Sequence, residues 1–437
     1  MNVGLVLYNG LLPVAGLAAR CAAPFNGKIA LGLKGRVGFK GRWKEKSGLL
    51  GRRGPVVWFH VSSVGEFEQA KPVMSRLASR LGPSLEIALT FYSPSGMSYF
   101  ERFDRSTRIE AIRFLDYLPL DTPANARFCL ETLRPDMVVF VKYDLWPNLV
   151  VESARRGVPL VLVSGTLSPG SRRLAWPARG FYASLYSKFT AIAAISQEDA
   201  ARFNKDVRPG VEIVAAGDTR FDRVCERIDA SPVKIAPAIG AAKRTWIVAG
   251  STWPKDEAVV IPGFASLRRA HPEAGLVLVP HEPTAARLAE IREALGRESL
   301  EFELLSSLQD DAAVSAPVVV ADGIGYLAEL YRCGTIAYVG GSFTTGVHNV
   351  MEPAVLGLPI LFGPRIDNSL EARELVELGS GAVVRTASDF AEATSALLDN
   401  PARLRRKGDE AAGFIRGGCG AALRCVDLIE RCLARKA

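Results

Sequence analysis

Patterned cysteine is missing from this chain, and histidine is scarce. Cys21, Cys129, Cys225, Cys333, Cys419, Cys425 and Cys432 are odd in number and scattered, with no CxxC pair. That spacing offers neither a disulfide framework nor a zinc site, and it fits a reducing, cytosolic environment. His60, His271, His281 and His348 do not cluster in sequence with cysteines or carboxylates at ligand spacing, so no metal is expected. Low-complexity tracts are absent, and so is a broad excess of one charge. The 54 Lys and Arg outnumber the 46 Asp and Glu by only 8. Most of that surplus sits between Lys28 and Arg53, where Lys34, Arg36, Lys40, Arg42, Lys44, Lys46 and Arg52 also face Glu45 alone. A local basic segment is not a nucleic-acid surface spread over the molecule. Its cations do not interleave with aromatics as a base-stacking groove requires, so no nucleic-acid partner is expected.

What is present points to two globular domains. At 437 residues, with 48% hydrophobic and 23% charged side chains, the chain exceeds one compact core. Met1–Ala19 carries no charged side chain, and Arg20 ends it. The cations follow the apolar stretch, whereas a secretory signal places them before it. Nineteen uncharged residues broken by Asn9, Gly10 and Pro13 are marginal for a membrane span. Either a short uncleaved anchor or a helix lying in the interface fits, with the following cations facing anionic lipid on the cytoplasmic side. A helix buried in the fold is the bland alternative.

Apolar runs recur at Val56–Val61, Glu86–Phe91, Met137–Tyr143, Leu160–Ser164, Ala191–Ile195 and Val211–Ala215. Helical intervals separate most of them, which predicts a parallel βα sheet. Residues 229–243, with Pro232 and Pro237 among Ala and Gly, read as a linker. A second series follows at Trp246–Gly250, Gly275–Val279, Pro317–Ala321, Thr335–Val339 and Pro359–Phe362. The expected class is α/β, with two Rossmann-like lobes and a central cleft. Ligands bind beyond the carboxyl ends of such strands.

The strand ends carry the candidate chemistry. After Thr335–Val339 come Gly340 and Gly341, a polar loop closed by Gly346, then His348, Asn349 and Glu352-Pro353. A glycine turn opening a helix presents N–H groups to an anion, and Glu352 is placed to take two ribose hydroxyls. An ordinary βα turn explains the same glycines. Ser63 and Glu66 form the pattern of a capping box. A carboxylate beside a helix N-terminus is expected to stay ionised near neutral pH, able to take a proton from an attacking hydroxyl. Asp144-Leu145-Trp146-Pro147-Asn148 reads as a cleft rim, and Arg220 as a cation for a leaving phosphate. In the second lobe Ser251 and Thr252 are candidate phosphate donors, followed by Pro280-His281 and by Ile324-Gly325-Tyr326.

In chain order the motifs are HVSSVGE at 60–66, LPLDTP at 118–123, DLWPN at 144–148, SGTLS at 164–168 and ISQEDAARF at 195–203. They continue with AGDTRFDRV at 216–224, AGSTW at 249–253, PH at 280–281, HNVMEPA at 348–354 and FGP at 362–364. Together they resemble the Kdo (3-deoxy-D-manno-octulosonic acid) transferases of lipopolysaccharide synthesis. The resemblance implies a GT-B glycosyltransferase fold. It divides the chain into an anchor at 1–25, an acceptor lobe at 26–228, the linker, and a nucleotide-sugar lobe at 244–437 whose last helix can pack back on the first lobe. It implies Glu66 as the base, with Asp144 and Arg220 steadying the transition state. It also implies CMP-Kdo contacts from Pro280, His281, Ile324, Gly325, Tyr326, Asn349, Val350, Met351 and Glu352, in an inverting reaction with no metal or cofactor. The implied acceptor is a lipid A precursor (lipid IVA), at the cytoplasmic face of the inner membrane and its anionic lipid.

The chain departs from the commonest family form in places. Many members read ETELWPN where Lys142-Tyr143-Asp144-Leu145 stand here. The usual Lys is Arg220, an acid is usual where Tyr326 stands, and the loop before His348 reads TTGV. Two other readings are compatible with the residues. One is a GT-B enzyme using a UDP-sugar, and the other is a membrane-surface binder without catalysis.

Overall fold

The computed structural model describes residues 3–103, 109–230, 239, 244–308 and 314–435. The chain divides into two compact units, Met1–Arg223 with Gly418–Ala437, and Val224–Gly417. Most of the expected linker, 229–243, lies outside the described residues.

In the first unit, β1 (Val56–Val61), β2 (Glu86–Phe91), β3 (Ile112–Tyr117), β4 (Met137–Val141), β5 (Leu160–Gly165), β6 (Ala191–Ala194) and β7 (Glu212–Ala215) form one sheet. Its order is β3-β2-β1-β4-β5-β6-β7, with parallel pairing throughout. VVWFHV, EIALTF and MVVFV are buried along their whole length. A parallel sheet covered on both faces requires such continuous apolar strands. Trp58, Phe114, Phe140 and Leu162 fill one face, while Val57, Phe59, Ile87 and Val139 fill the other. The last helix, Ala421–Ala434, closes that second face with Cys425, Val426, Leu428, Ile429 and Cys432.

Asp222 fastens this returning helix. Fully buried, it accepts from the amides of Gly420 at 2.9 Å and Ala422 at 3.1 Å. Asp222→Ala strands both donors, and we expect a loss of about 2 kcal/mol, read as a lower urea midpoint.

The second unit holds β8 (Thr245–Thr252), β9 (Ala274–Pro280), β10 (Phe302–Leu304), β11 (Val318–Val320), β12 (Ile336–Val339), β13 (Ile360–Phe362) and β14 (Gly381–Val383). They form a second seven-stranded sheet, ordered β10-β11-β9-β8-β12-β13-β14. Strands β3, β10 and β14 were not expected from the sequence. Each is an edge strand. β3 alternates between buried and more exposed residues, and β10 is half-buried, so neither forms a continuous apolar run.

The amino-terminal helix α1 (Val3–Ala22) is not buried in the fold, since only Leu12 is fully covered. Together with the turn to Phe25 it is long and apolar enough to cross a membrane. One side lies along the first unit. Tyr8 donates to Asp121 at 3.1 Å, Asn148 donates to Asn9 at 2.7 Å, and Gly16 faces Leu120. The other side exposes Val6, Leu7, Leu11, Val14 and Leu17. The basic segment, expected to face lipid, is only partly free to do so. Arg36 donates to the carbonyls of Leu118 and Tyr92, and Arg42 and Lys46 pair with the buried Asp116 at 3.0 and 3.1 Å. Lys28, Lys34, Lys40, Lys44 and Arg53 remain exposed.

Candidate active site

In each sheet the strand order reverses once, between β1 and β4 and between β8 and β12. Crossovers leave the sheet on opposite faces at such a point, which opens a crevice beyond the carboxyl ends of the two central strands. Glu66 and Asp144 lie at the first of these places, and Ser251, Asn349 and Glu352 at the second. Pro280-His281 follow β9, Ile324-Gly325-Tyr326 follow β11 and Arg220 follows the edge strand β7.

In the first unit β1 hands over to α4 (Val64–Leu81). Ser63 caps the helix, and Glu66 returns the bond as a capping box. Glu66 Oε2 accepts from the amides of Ser62 at 2.5 Å and Ser63 at 3.0 Å. Oε1 makes no hydrogen bond among the described residues. Asp144, just beyond β4, accepts from the Ser62 hydroxyl and from Trp146 Nε1 at 3.0 Å. Its Oδ2 lies 3.6 Å from His60 Nε2. Ser62 therefore ties the two carboxylates into one cluster. His60 is held in turn by Thr90, 2.9 Å from Nδ1.

The surroundings of Glu66 modify what its helix position alone implies. A helix N-terminus alone would keep Glu66 ionised near neutral pH. Instead Glu66 is only 7% exposed, and burial, then the charge of Asp144, push it up to about 7. The amides of Ser62 and Ser63 and the charge of Lys142 offset part of this rise. Burial also acts upward on Asp144, but His60, Ser62 and Trp146 outweigh it and hold Asp144 below the ordinary carboxylate range. Two neighbouring acids with opposed shifts are the pattern of a base and its ionised companion. Arg220, at the start of the helix after β7, pairs with Asp218 at 2.7 Å.

In the second unit Ser251 and Thr252 lie on β8 itself rather than after it. Ser251 takes φ +54°. The Thr252 hydroxyl donates to Glu257 at 3.0 Å and is buried, so it supports the site from behind. Pro280 ends β9, and His281 stacks between Trp253 and His348, with ring centroids 4.8 and 4.6 Å away. Trp253 Nε1 donates to His348 Nε2 at 2.9 Å. Burial, then the neighbouring His281, lower the pKa of His348, and Asp256 offsets part of this.

The buried Asp256 organises this corner. It accepts from Tyr338 Oη at 2.7 Å and from the amides of Gly341 and Trp253, each at 2.9 Å. Gly340 has no room for a side chain, because a Cβ would stand 2.3 Å from the Ser251 carbonyl oxygen. Gly341 takes φ +94°, which a residue with a Cβ adopts only at a cost.

The helix expected after this glycine turn is short, only Met351–Val355. Asn349 Oδ1 accepts from its first amide, Met351, at 3.1 Å. A helix of one turn has a weak dipole, so the anion expectation loses its strongest support there. Val350 and Met351 are buried. Glu352 accepts from Arg227 Nη1 at 2.8 Å. Ile324 and Tyr326 are 75% and 40% exposed on an open loop that turns at Gly325, φ +97°.

Sequence reasoning did not single out His60, Lys142, Asp256 or Arg227 for these roles. His60 left a signal as the residue that opens HVSSVGE, and Lys142 as a departure from the common ETELWPN form. Among the described residues, no group of three or more His, Cys, Asp or Glu is arranged to hold a metal ion.

Residues 38–223 match the family model described as 3-deoxy-D-manno-octulosonic-acid transferase (kdotransferase). The 3-deoxy-D-manno-octulosonic acid transferase of Haemophilus influenzae is 26% identical over 382 residues, 87% of each chain. That of Bordetella pertussis is 27% identical over 409 residues, 89% of this chain and 92% of its own. Among solved structures, the UDP-GlcNAc 2-epimerase of Neisseria meningitidis superposes with a TM-score of 0.59 at 15% identity. The match covers 87% of this chain and 100% of that one. At that identity the likeness speaks for the fold, which is GT-B. Over most of its length the chain resembles the Kdo transferases, a glycosyltransferase family, and residues 38–223 carry that family's domain.

Proposed function

We propose that this protein is an inverting, metal-independent glycosyltransferase that moves Kdo from CMP-Kdo to a lipid A precursor (lipid IVA) in lipopolysaccharide core biosynthesis. The observation that carries the reading is the Glu66 carboxylate, raised to about 7 at the switch point of the first sheet. A general base works best with a pKa near the working pH.

In the reaction an acceptor hydroxyl oxygen attacks the anomeric carbon of Kdo. The bond from that carbon to the CMP phosphate oxygen breaks, CMP leaves with the electron pair, and Glu66 takes the hydroxyl proton. One displacement inverts the centre. Asp144 stays ionised beside Glu66 and opposes its charged form, so Glu66 gains the proton readily. Arg220 offers positive charge to the departing phosphate. In the second unit Ser251, Pro280, His281, the loop Ile324–Tyr326 and Asn349–Glu352 hold the nucleotide-sugar, with Thr252 behind them.

The division of labour follows the two units: Met1–Arg223 with Gly418–Ala437 takes the acceptor, and Val224–Gly417 takes the donor. Helix α1 is fastened to the first lobe along one side and apolar on the other. That arrangement favours a helix lying in the cytoplasmic interface of the inner membrane over a free span. The exposed cations Lys28, Lys34, Lys44 and Arg53 would meet its anionic lipid.

The test is to incubate the purified full-length protein with CMP-Kdo and a tetra-acylated lipid A precursor. Mass spectrometry is expected to show the acceptor heavier by a Kdo unit, with stoichiometric CMP and an inverted anomeric centre by NMR. Consumption of a UDP-sugar with none of CMP-Kdo would reject the reading.

A further inference from the structure

A second opening in the first unit is lined by a different chemistry. It is a cavity of about 710 Å³ beside the carboxyl ends of β4 and β5. Lys142, Arg172 and Arg173 bring three cations to it, and no carboxylate is among its lining residues. None of the three forms an ion pair among the described residues. The hydroxyls of Thr166, Ser168 and Ser171 line the same space. Tyr143 and Tyr182 form its walls, and the Arg173 guanidinium lies 4.5 Å from the Tyr143 ring centre and 6.0 Å from that of Tyr182.

Unpaired cations brought together in a concave site repel one another, and the molecule holds them there at a cost. Lys142 takes φ +65°, a backbone conformation uncommon for a residue with a Cβ. Burial, then the nearby charge of Arg220, act against its protonated form, and the charges of Asp218 and Glu66 offset only part of this. A partly buried charge without a partner is unfavourable until an anion arrives. Arginines match the oxygens of a phosphate with paired N–H donors, and hydroxyls complete the shell. Aromatic walls suit the apolar faces of a sugar ring.

We propose that this cavity is an anion subsite that grips a phosphate monoester of the sugar acceptor through Lys142, Arg172 and Arg173. The inference rests on the proposed function in that it assigns the ligand to the acceptor. The charge of Lys142 also reaches Glu66, the proposed base.

The experiment measures binding of a bis-phosphorylated, tetra-acylated glucosamine disaccharide to the full-length protein in neutral-detergent micelles, against the same lipid stripped by phosphatase. The wild-type protein is expected to prefer the phosphorylated lipid at least tenfold. Arg172→Ala/Arg173→Ala is expected to bind both forms equally, with CMP-Kdo affinity unchanged. Lys142→Asn, whose side chain tolerates the left-handed backbone, serves as the second variant and should lose most of the preference. A preference that survives in both variants, or is missing from the wild type, overturns the subsite. A wild-type preference without any Kdo transfer removes the proposed function and leaves the subsite standing.

Discussion

Glu66→Gln is expected to lower kcat for Kdo transfer by a factor of about 10² to 10⁴, the usual contribution of a positioned base. The substitution keeps the shape of the side chain and an oxygen for the amides of Ser62 and Ser63, so donor affinity should hold. Near-normal turnover in this variant would remove Glu66 from the mechanism. The pH profile gives an independent reading. The base acts in its ionised form, so kcat/KM of the wild type should rise with pH through about 7 and level off above it. Asp144 raises Glu66 by its charge, so Asp144→Asn should move that limb to lower pH even as it reduces the plateau.

The same shift has a consequence for stability. The folded protein disfavours ionised Glu66. Its contribution is therefore fully present below the ordinary value of 4.5 and lost as pH rises through about 7. A rise of that size corresponds to about 3 kcal/mol as an upper figure. Glu66→Gln should thus raise the melting temperature at pH 8 and leave it nearly unchanged at pH 4.5. A gain in stability coupled to a loss of rate is expected where a site holds a group in an unfavourable state.

Leu7→Glu/Leu11→Glu/Val14→Glu is expected to release the protein from vesicles of anionic phospholipid. These three side chains lie on the uncovered side of α1, 63%, 65% and 62% exposed. Withdrawing a fully exposed aliphatic side chain from water is worth roughly 1.5–3 kcal/mol, so the triple change should weaken partitioning at least a hundredfold. Tyr8 and Asn9, which tie the helix to Asp121 and Asn148, are untouched, so the fold and CMP-Kdo affinity should persist. Co-sedimentation of the variant at the wild-type level would end the interfacial reading. Raised salt should weaken the wild-type interaction through the cations that follow α1, because screening acts on exposed charges.

The residues along the chain determined more of the fold than of the site. Continuous apolar strands such as VVWFHV and MVVFV announce a parallel sheet because each must be buried on both faces, and the central strands of both lobes were legible for that reason. The edge strands β3, β10 and β14 were not, since strands covered on fewer sides need no unbroken apolar run. The position of Glu66 could be read from its capping box, and a carboxylate at Asp144 from the end of its strand. That the two share Ser62, and that Glu66 is pushed up to about 7, could not. A pKa depends on burial and on groups distant in the chain, and Glu66 and Asp144 meet only because the sheet sets β4 beside β1. The same holds for Lys142 and the pair Arg172 and Arg173: cations some thirty residues apart in the sequence line one cavity because β4 and β5 end side by side.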